Sequence, residues 1–277
     1  MSQPTGTERH PSAGQSEHRR IFAMGGGGFS VEPDNPALDD YILSLSRAPE
    51  PRICLLPTAG GDADEQIVRF QATFGDKQCR PCHVSLFRLG QKPVPLRETI
   101  LRQEIIYVGG GSLRNLLAIW RAHGLDRILR EAWERGVVLA GLSAGSMCWF
   151  QAGVTKSAGV PETYGGLGLL AGSNSVHYDA QPDRRPVYLN AVAERRIPPG
   201  YGVDDGVGLL FVGPDLVETV SSRADARAYW VMPDGRGGVR ETEVVPRFLG
   251  AAENPERSVP FDISEYRLAR SARRLGD

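Results

Sequence analysis

Gly141-Leu142-Ser143-Ala144-Gly145 sets a serine among small residues, directly after an apolar run at 136–140 and before a stretch able to form a helix. A strand, a sharp turn and a helix are the context that the G-x-S-x-G nucleophile elbow requires. A serine in such a turn is held in a strained backbone conformation with its hydroxyl exposed, and the start of the next helix favours developing negative charge. The chemistry this points to is acyl transfer, with Ser143 as nucleophile and the Ala144 N–H as one oxyanion donor. The plainer reading is an ordinary glycine-rich turn between strand and helix; the surrounding pattern favours the nucleophile.

Tyr107-Val108-Gly109-Gly110-Gly111-Ser112 is a second turn of the same kind. Its glycines let backbone N–H groups face a ligand, which suits the second oxyanion donor and equally suits a phosphate cradle. No Lys-Ser or Lys-Thr pair follows, which argues against a P-loop. Gly25-Gly26-Gly27-Gly28 invites a dinucleotide reading. However, Phe29-Ser30-Val31-Glu32-Pro33 is not expected to open a helix directly, and no acid ends the next apolar run. That turn is read as a rim of the site or a tight turn.

A serine nucleophile needs a base, and the chain has 5 histidines. His10 and His18 lie in a polar N-terminal stretch, His83 begins an expected strand and His123 lies near an expected helix end. His177, in Ser175-Val176-His177-Tyr178-Asp179, remains, and it follows Ser143 in chain order as the base does in serine-first triads. The 4 cysteines form no disulfide scaffold. Cys79-Arg80-Pro81-Cys82, followed by His83, has the spacing of a redox pair, half a zinc site or a haem attachment. No second Cys or His pair completes such a site, so two incidental cysteines before a strand is the favoured reading. Neither a metal nor a cofactor is expected.

These residues need a scaffold. The 277 residues, 41% of them hydrophobic, suffice for one large α/β domain. The expected division is a disordered tail at 1–20, a hydrolase-type domain at 21–250 and a polar extension at 251–277 with a short helix near 263–274. Apolar runs at 20–24, 52–56, 83–87, 104–108 and 137–142 alternate with helical patterns at 36–46, 64–74, 96–101, 113–123, 124–135 and 144–152. Such alternation predicts right-handed crossovers and a mainly parallel sheet flanked by helices, with function at the carboxyl ends of its strands. After Gly153 the segments shorten. Strands are expected at 207–212, 216–221, 228–232 and 239–245, several of them antiparallel, with a hairpin at Pro233-Asp234-Gly235. This C-terminal part is expected to finish the sheet.

Lys plus Arg (32) nearly balance Asp plus Glu (33), for a formal net charge of -1, so no field draws the chain to nucleic acid or a membrane surface. A small uncharged or zwitterionic partner suits it better. The apolar runs are too short to span a bilayer and the polar N-terminus lacks a signal-peptide core, so a cytoplasmic location is expected.

Four blocks, Leu56-Pro57-Thr58-Ala59, Val108-Gly109-Gly110-Gly111, the elbow at 141–145 and His177-Tyr178, together resemble the peptidase E family of serine peptidases, which includes aspartyl dipeptidase and cyanophycinase. The resemblance implies a fold like class I glutamine amidotransferases, with serine in place of their cysteine. It further implies Ser143 as nucleophile, His177 as base, an oxyanion hole from Ala144 and a glycine of the second turn (Gly111, or its neighbour Gly110), and a short peptide as substrate. A homodimer is admissible. Two positions depart from the family pattern. Ser112 stands where aspartyl dipeptidases tend to have asparagine, which puts N-terminal aspartate specificity in question. Lys156 stands where the family commonly has an acid, so Asp205 is the first substitute for the triad acid, followed by Glu162 and Asp179. A catalytically weak or inactive member that binds a small molecule is the alternative function, and esterase or amidotransferase chemistry a weaker third.

Overall fold

The computed structural model describes residues 19–250; the expected C-terminal extension with its helix near 263–274, and all but the last two residues of the expected N-terminal tail, lie outside the described residues. Eight strands form the first sheet. Five of them, β1 (Arg20–Met24), β2 (Arg52–Leu56), β3 (Arg80–His83), β4 (Ile105–Val108) and β5 (Val138–Leu142), are parallel and lie in the order β1-β5-β4-β2-β3. A parallel sheet is covered on both faces, so its strands read as unbroken apolar runs. Ile105, Ile106, Tyr107 and Val108 are accordingly all buried.

Side chains alternate between the two faces. Ile53, Leu55, Ile105 and Tyr107 pack with helices α1 (Gly28–Val31), α2 (Ala37–Ser44) and α3 (Asp64–Gly75), through Phe29, Leu38, Ile42, Phe70 and Phe74. Cys54, Leu56, Ile106 and Val108 pack on the other face with α4 (Leu96–Leu101), α5 (Leu113–His123) and α6 (Leu125–Glu134), through Ile100, Leu116, Trp120 and Leu129.

On the far side of β1 the sheet is completed by β10 (Val207–Val212) and β11 (Asp215–Ser221), both antiparallel to their inner neighbours, and by the short β14 (Arg247–Phe248). The C-terminal part thus finishes this sheet as expected, and it also does more. Strands β6 (Phe150–Thr155), β7 (Glu162–Gly165), β8 (Leu170–Val176), β9 (Gly200–Val203), β12 (Ala228–Pro233) and β13 (Val239–Val244) build a second sheet in the order β13-β12-β9-β8-β6-β7. Helix α8 (Arg184–Ala193) covers one face of it through Tyr188 and Val192, and Phe150, Val176 and Val203 on its other face join the core of the first sheet. The β12–β13 hairpin turns through Asp234, as anticipated.

Three local expectations are corrected. The helix α7 after the elbow spans only Ala144–Met147, and the chain then enters β6 rather than staying helical to 152. Trp149 and Phe150 belong to an apolar run without helical period, and such a run cannot by itself distinguish a buried strand from a buried helix. The strand expected at 83–87 lies at Arg80–His83, so His83 ends it, and Leu86 sits in a 3-10 turn. β3 is an edge strand paired only with β2, half-exposed and tolerant of Pro81, so it carries no apolar run to mark it. Finally, a single helical turn, α1, does open directly after the first glycine turn.

Candidate active site

The elbow is built by close backbone packing. Ser143 follows β5 with φ 54 and ψ -114, an uncommon conformation for a side-chain-bearing residue, and its N–H donates to the Met24 carbonyl at the end of β1 (3.2 Å). A β-carbon on Gly145 would lie 2.3 Å from the Val108 carbonyl oxygen, and one on Gly141 2.2 Å from that of Gly145. Both glycines of the G-x-S-x-G pattern are therefore demanded by the approach of α7 to β4 and β5. Within 141–150 only Ser143 is not fully buried, so the turn presents its side chain outward.

His177 and Asp205 reach it from the second sheet. β8 and β9 are parallel, with Val176 opposite Val203, so the chain leaves both strands at the same edge. His177 comes next after β8 with φ 53, and Asp205 lies in the turn that carries the chain from β9 into β10 of the first sheet. His177 Nε2 lies 2.9 Å from Ser143 Oγ, and His177 Nδ1 lies 2.5 Å from Asp205 Oδ1. An ionised carboxylate only accepts, so Nδ1 carries the proton and donates, which leaves Nε2 free to accept from the Ser143 hydroxyl. The side chains of His177 and Asp205 are only 15% and 17% exposed, so solvent screens this pair weakly.

Gly26, from the first glycine turn, forms a parallel bridge with Asp205, and the Gly206 N–H donates to the Gly26 carbonyl (3.1 Å). This turn therefore lies directly against Asp205. Neighbouring Asp204 faces elsewhere, accepting the Arg227 N–H (2.9 Å); burial pushes its carboxyl up to about 6 against that hydrogen bond.

The other candidate acids are engaged away from the imidazole. Glu162 accepts from Arg114 (2.5 Å), and Asp179 accepts the Asp205 N–H (2.9 Å). Lys156 donates to Asp183 (2.7 Å). In the second glycine turn, Gly110 runs beside the elbow, where a β-carbon on it would lie 3.4 Å from Ser143 Cβ, and Gly111 has φ 142. Ser112 caps α5, its hydroxyl accepting the Asn115 N–H (3.2 Å). Ala144 is buried as the first residue of α7.

Cys79 and Cys82 are not neighbours in the fold. Cys79 belongs to the core on the α3 side, its thiol donating to the Phe74 carbonyl (3.3 Å), while Cys82 packs against the opposite core. All four thiols are free. Among the described residues no three His, Cys, Asp or Glu side chains converge as a metal site, and no helix is long and apolar enough to cross a membrane. Arg223, which contacts both Asp179 and the Asp205 carbonyl, lies in no motif, and no sequence signal marked it.

A mixed α/β architecture of this kind is found in solved peptidases. A peptidase from an acI-B1 Actinobacterium superimposes with a TM-score of 0.60 at 19% identity, covering 82% of this chain and 94% of that one. A protein of Listeria monocytogenes EGD-e assigned to peptidase E gives 0.53 at 17% identity, covering 73% and 97%. At these identities the likeness concerns the fold, which is that of peptidase E-type proteins. In sequence, residues 21–219 match Peptidase family S51, the peptidase E family. Over 214 residues the chain is 50% identical to the uncharacterized peptidase YgaJ of Bacillus subtilis (strain 168), covering 77% of this chain and 92% of that protein. The chain belongs to Peptidase family S51, and its class of activity is peptide hydrolysis.

Proposed function

We propose that the protein is a serine peptidase acting on short peptides, with Ser143, His177 and Asp205 as its triad. The observation that carries this reading is the unbroken hydrogen-bonded chain from the Ser143 hydroxyl through both nitrogens of His177 to Asp205. His177 Nε2 takes the hydroxyl proton as Ser143 Oγ attacks the scissile carbonyl, and Asp205 stabilises the imidazolium that forms. The Ala144 N–H and an amide of Gly110-Gly111 hold the oxyanion; removing one donor from such a hole raises the barrier by roughly 3 kcal/mol. His177 then protonates the leaving amine, and water attacks the acyl-enzyme by the reverse sequence.

Lys156, which raised the alternative of an inactive binding protein, pairs with Asp183, and the contact of the imidazole with Asp205 supports the triad reading over that alternative. The near-balanced charge fits a small peptide better than nucleic acid. Hydrolysis of a dipeptide library, including Asp-X and β-aspartyl-Arg, by wild type and Ser143→Ala tests the reading. Cleavage is expected with the wild type alone, together with stoichiometric labelling of Ser143 by a fluorophosphonate. Equal cleavage by the variant would overturn it.

A further inference from the structure

The backbone of Asp205 is held through both its N–H and its carbonyl. Its N–H donates to Asp179 Oδ1 (2.9 Å), and its carbonyl accepts from Arg223 Nη1 at 3.3 Å. The same Arg223 nitrogen donates to Asp179 Oδ2 at 3.1 Å, which closes a ring of three residues. Arg223 is itself fixed. Its side chain lies over Gly206, where a β-carbon would come within 2.9 Å of Cδ, and its N–H donates to the Ser221 hydroxyl (3.0 Å). The Ser221 hydroxyl in turn donates to the Arg223 carbonyl (2.7 Å), and the Ser222 N–H donates to the Gly206 carbonyl (2.9 Å).

Asp179 stands two residues beyond His177, so its carboxylate joins the turn bearing the base to the turn bearing the acid. Those turns leave neighbouring strands of the second sheet, whereas Ser143 stands on the first. Backbone pairing holds each turn separately, the Tyr178 N–H donating to the Val203 carbonyl (3.1 Å) beside His177 and Gly26 bridging to Asp205; the Asp179 carboxylate adds a side-chain link from one turn to the other. Asp179 is 30% and Arg223 37% exposed, and an isolated ion pair of that exposure contributes little to global stability. Its effect is then expected in the geometry of the site.

We infer that Asp179 and Arg223 are positioning residues that strap the Asp205 turn to the His177 turn and thereby set the alignment of the acid and the base. The inference rests on the triad reading given above. Misplacing a catalytic group by about 1 Å can lower the rate on the order of 100-fold.

Fluorophosphonate labelling reports the activated serine without requiring the natural substrate, and turnover of a peptide cleaved by the wild type supplies kcat and KM. In Asp179→Ala and in Arg223→Ala, the labelling rate and kcat are expected to fall about 10- to 100-fold with KM essentially unchanged. The double variant is expected to be no worse than the poorer single one, since the two side chains act as one unit. Asp179→Asn keeps an oxygen for the Asp205 N–H and should recover part of the loss. A merely structural role would lower the thermal midpoint and leave the rate per folded molecule intact, and that result would overturn the inference. Should Asp179→Ala fail to fold, Arg223→Ala is judged by the same criteria. Asp205→Asn and Ser143→Ala separate the two levels. If both lose activity while the Asp179 and Arg223 variants keep it, only the strap is wrong; if neither does, the triad is wrong and the strap with it.

Discussion

Gly26 passes so close beneath Asp205 that a β-carbon on it would lie 2.1 Å from Oδ1 of the carboxylate and 3.1 Å from Cε1 of His177. The first glycine turn is thus the floor beneath the His177–Asp205 pair. Gly26→Ala is expected to push the carboxylate off the imidazole and lower kcat by about 10- to 100-fold. Steady-state kinetics beside a thermal melt check this; a variant that melts earlier but turns over normally would contradict it.

Asp205→Asn replaces an acceptor-only group with one that can donate to Nδ1 and so favours the wrong imidazole tautomer. In serine triads that change lowers kcat on the order of 10⁴-fold, and a loss of this order with an intact fold is expected here. Parallel Glu162→Gln should leave turnover within about twofold, because that carboxylate serves Arg114. The reverse ranking would reassign the triad acid.

Lys156→Ala tests whether the departure at this position matters to catalysis. Its ammonium is bound to Asp183, itself 52% exposed, so removal should change stability by no more than about 1 kcal/mol and leave kcat unaltered. Urea denaturation together with kinetics measures both; a large fall in kcat would give Lys156 a role in the reaction.

Asp39 offers a pH test independent of the site. It is 1% exposed on α2, with one oxygen 3.4 Å from the Tyr107 hydroxyl and the other without a partner among the described residues. Burial, opposed by Lys77, pushes its carboxyl up from 3.8 to about 7. The folded state therefore keeps a proton that the unfolded chain gives up, so this contribution to stability is full below the ordinary value and is lost as pH rises through about 7. Relative to Asp39→Asn, which does not titrate there, the wild type should lose about 1.4 kcal/mol per pH unit across that window and level off above it. Denaturation of both proteins from pH 4 to about pH 8 measures the difference; parallel curves would refute the assignment.

Features shaped by burial and by contiguous stretches of chain were legible in the sequence. The five parallel strands lie between two layers of helices, so burial on both faces leaves apolar runs such as 105–108, and only β3 at the edge was misplaced. The elbow was visible because its strand, turn and helix are contiguous in the chain; Gly141 is required by a contact within 141–145, whereas Gly145 answers to Val108 on the neighbouring strand β4. His177 was singled out because so few histidines remained as candidates, and it does lie beside Ser143.

The acids were ranked, Asp205 before Glu162 and Asp179, only through the family resemblance; residue type and chain position alone show three carboxylates and nothing of which one meets the imidazole. The choice depends on the register of β8 against β9, on the turn that carries the chain from the second sheet into the first, and on the arginines that draw off the competitors. Arg223 was invisible for the same reason, since its only distinction is the pair of turns it bridges. Local steric and burial constraints are written into neighbouring residues, whereas the partner of a charge is settled by which surfaces meet when two sheets pack, and that is a property of the folded chain alone.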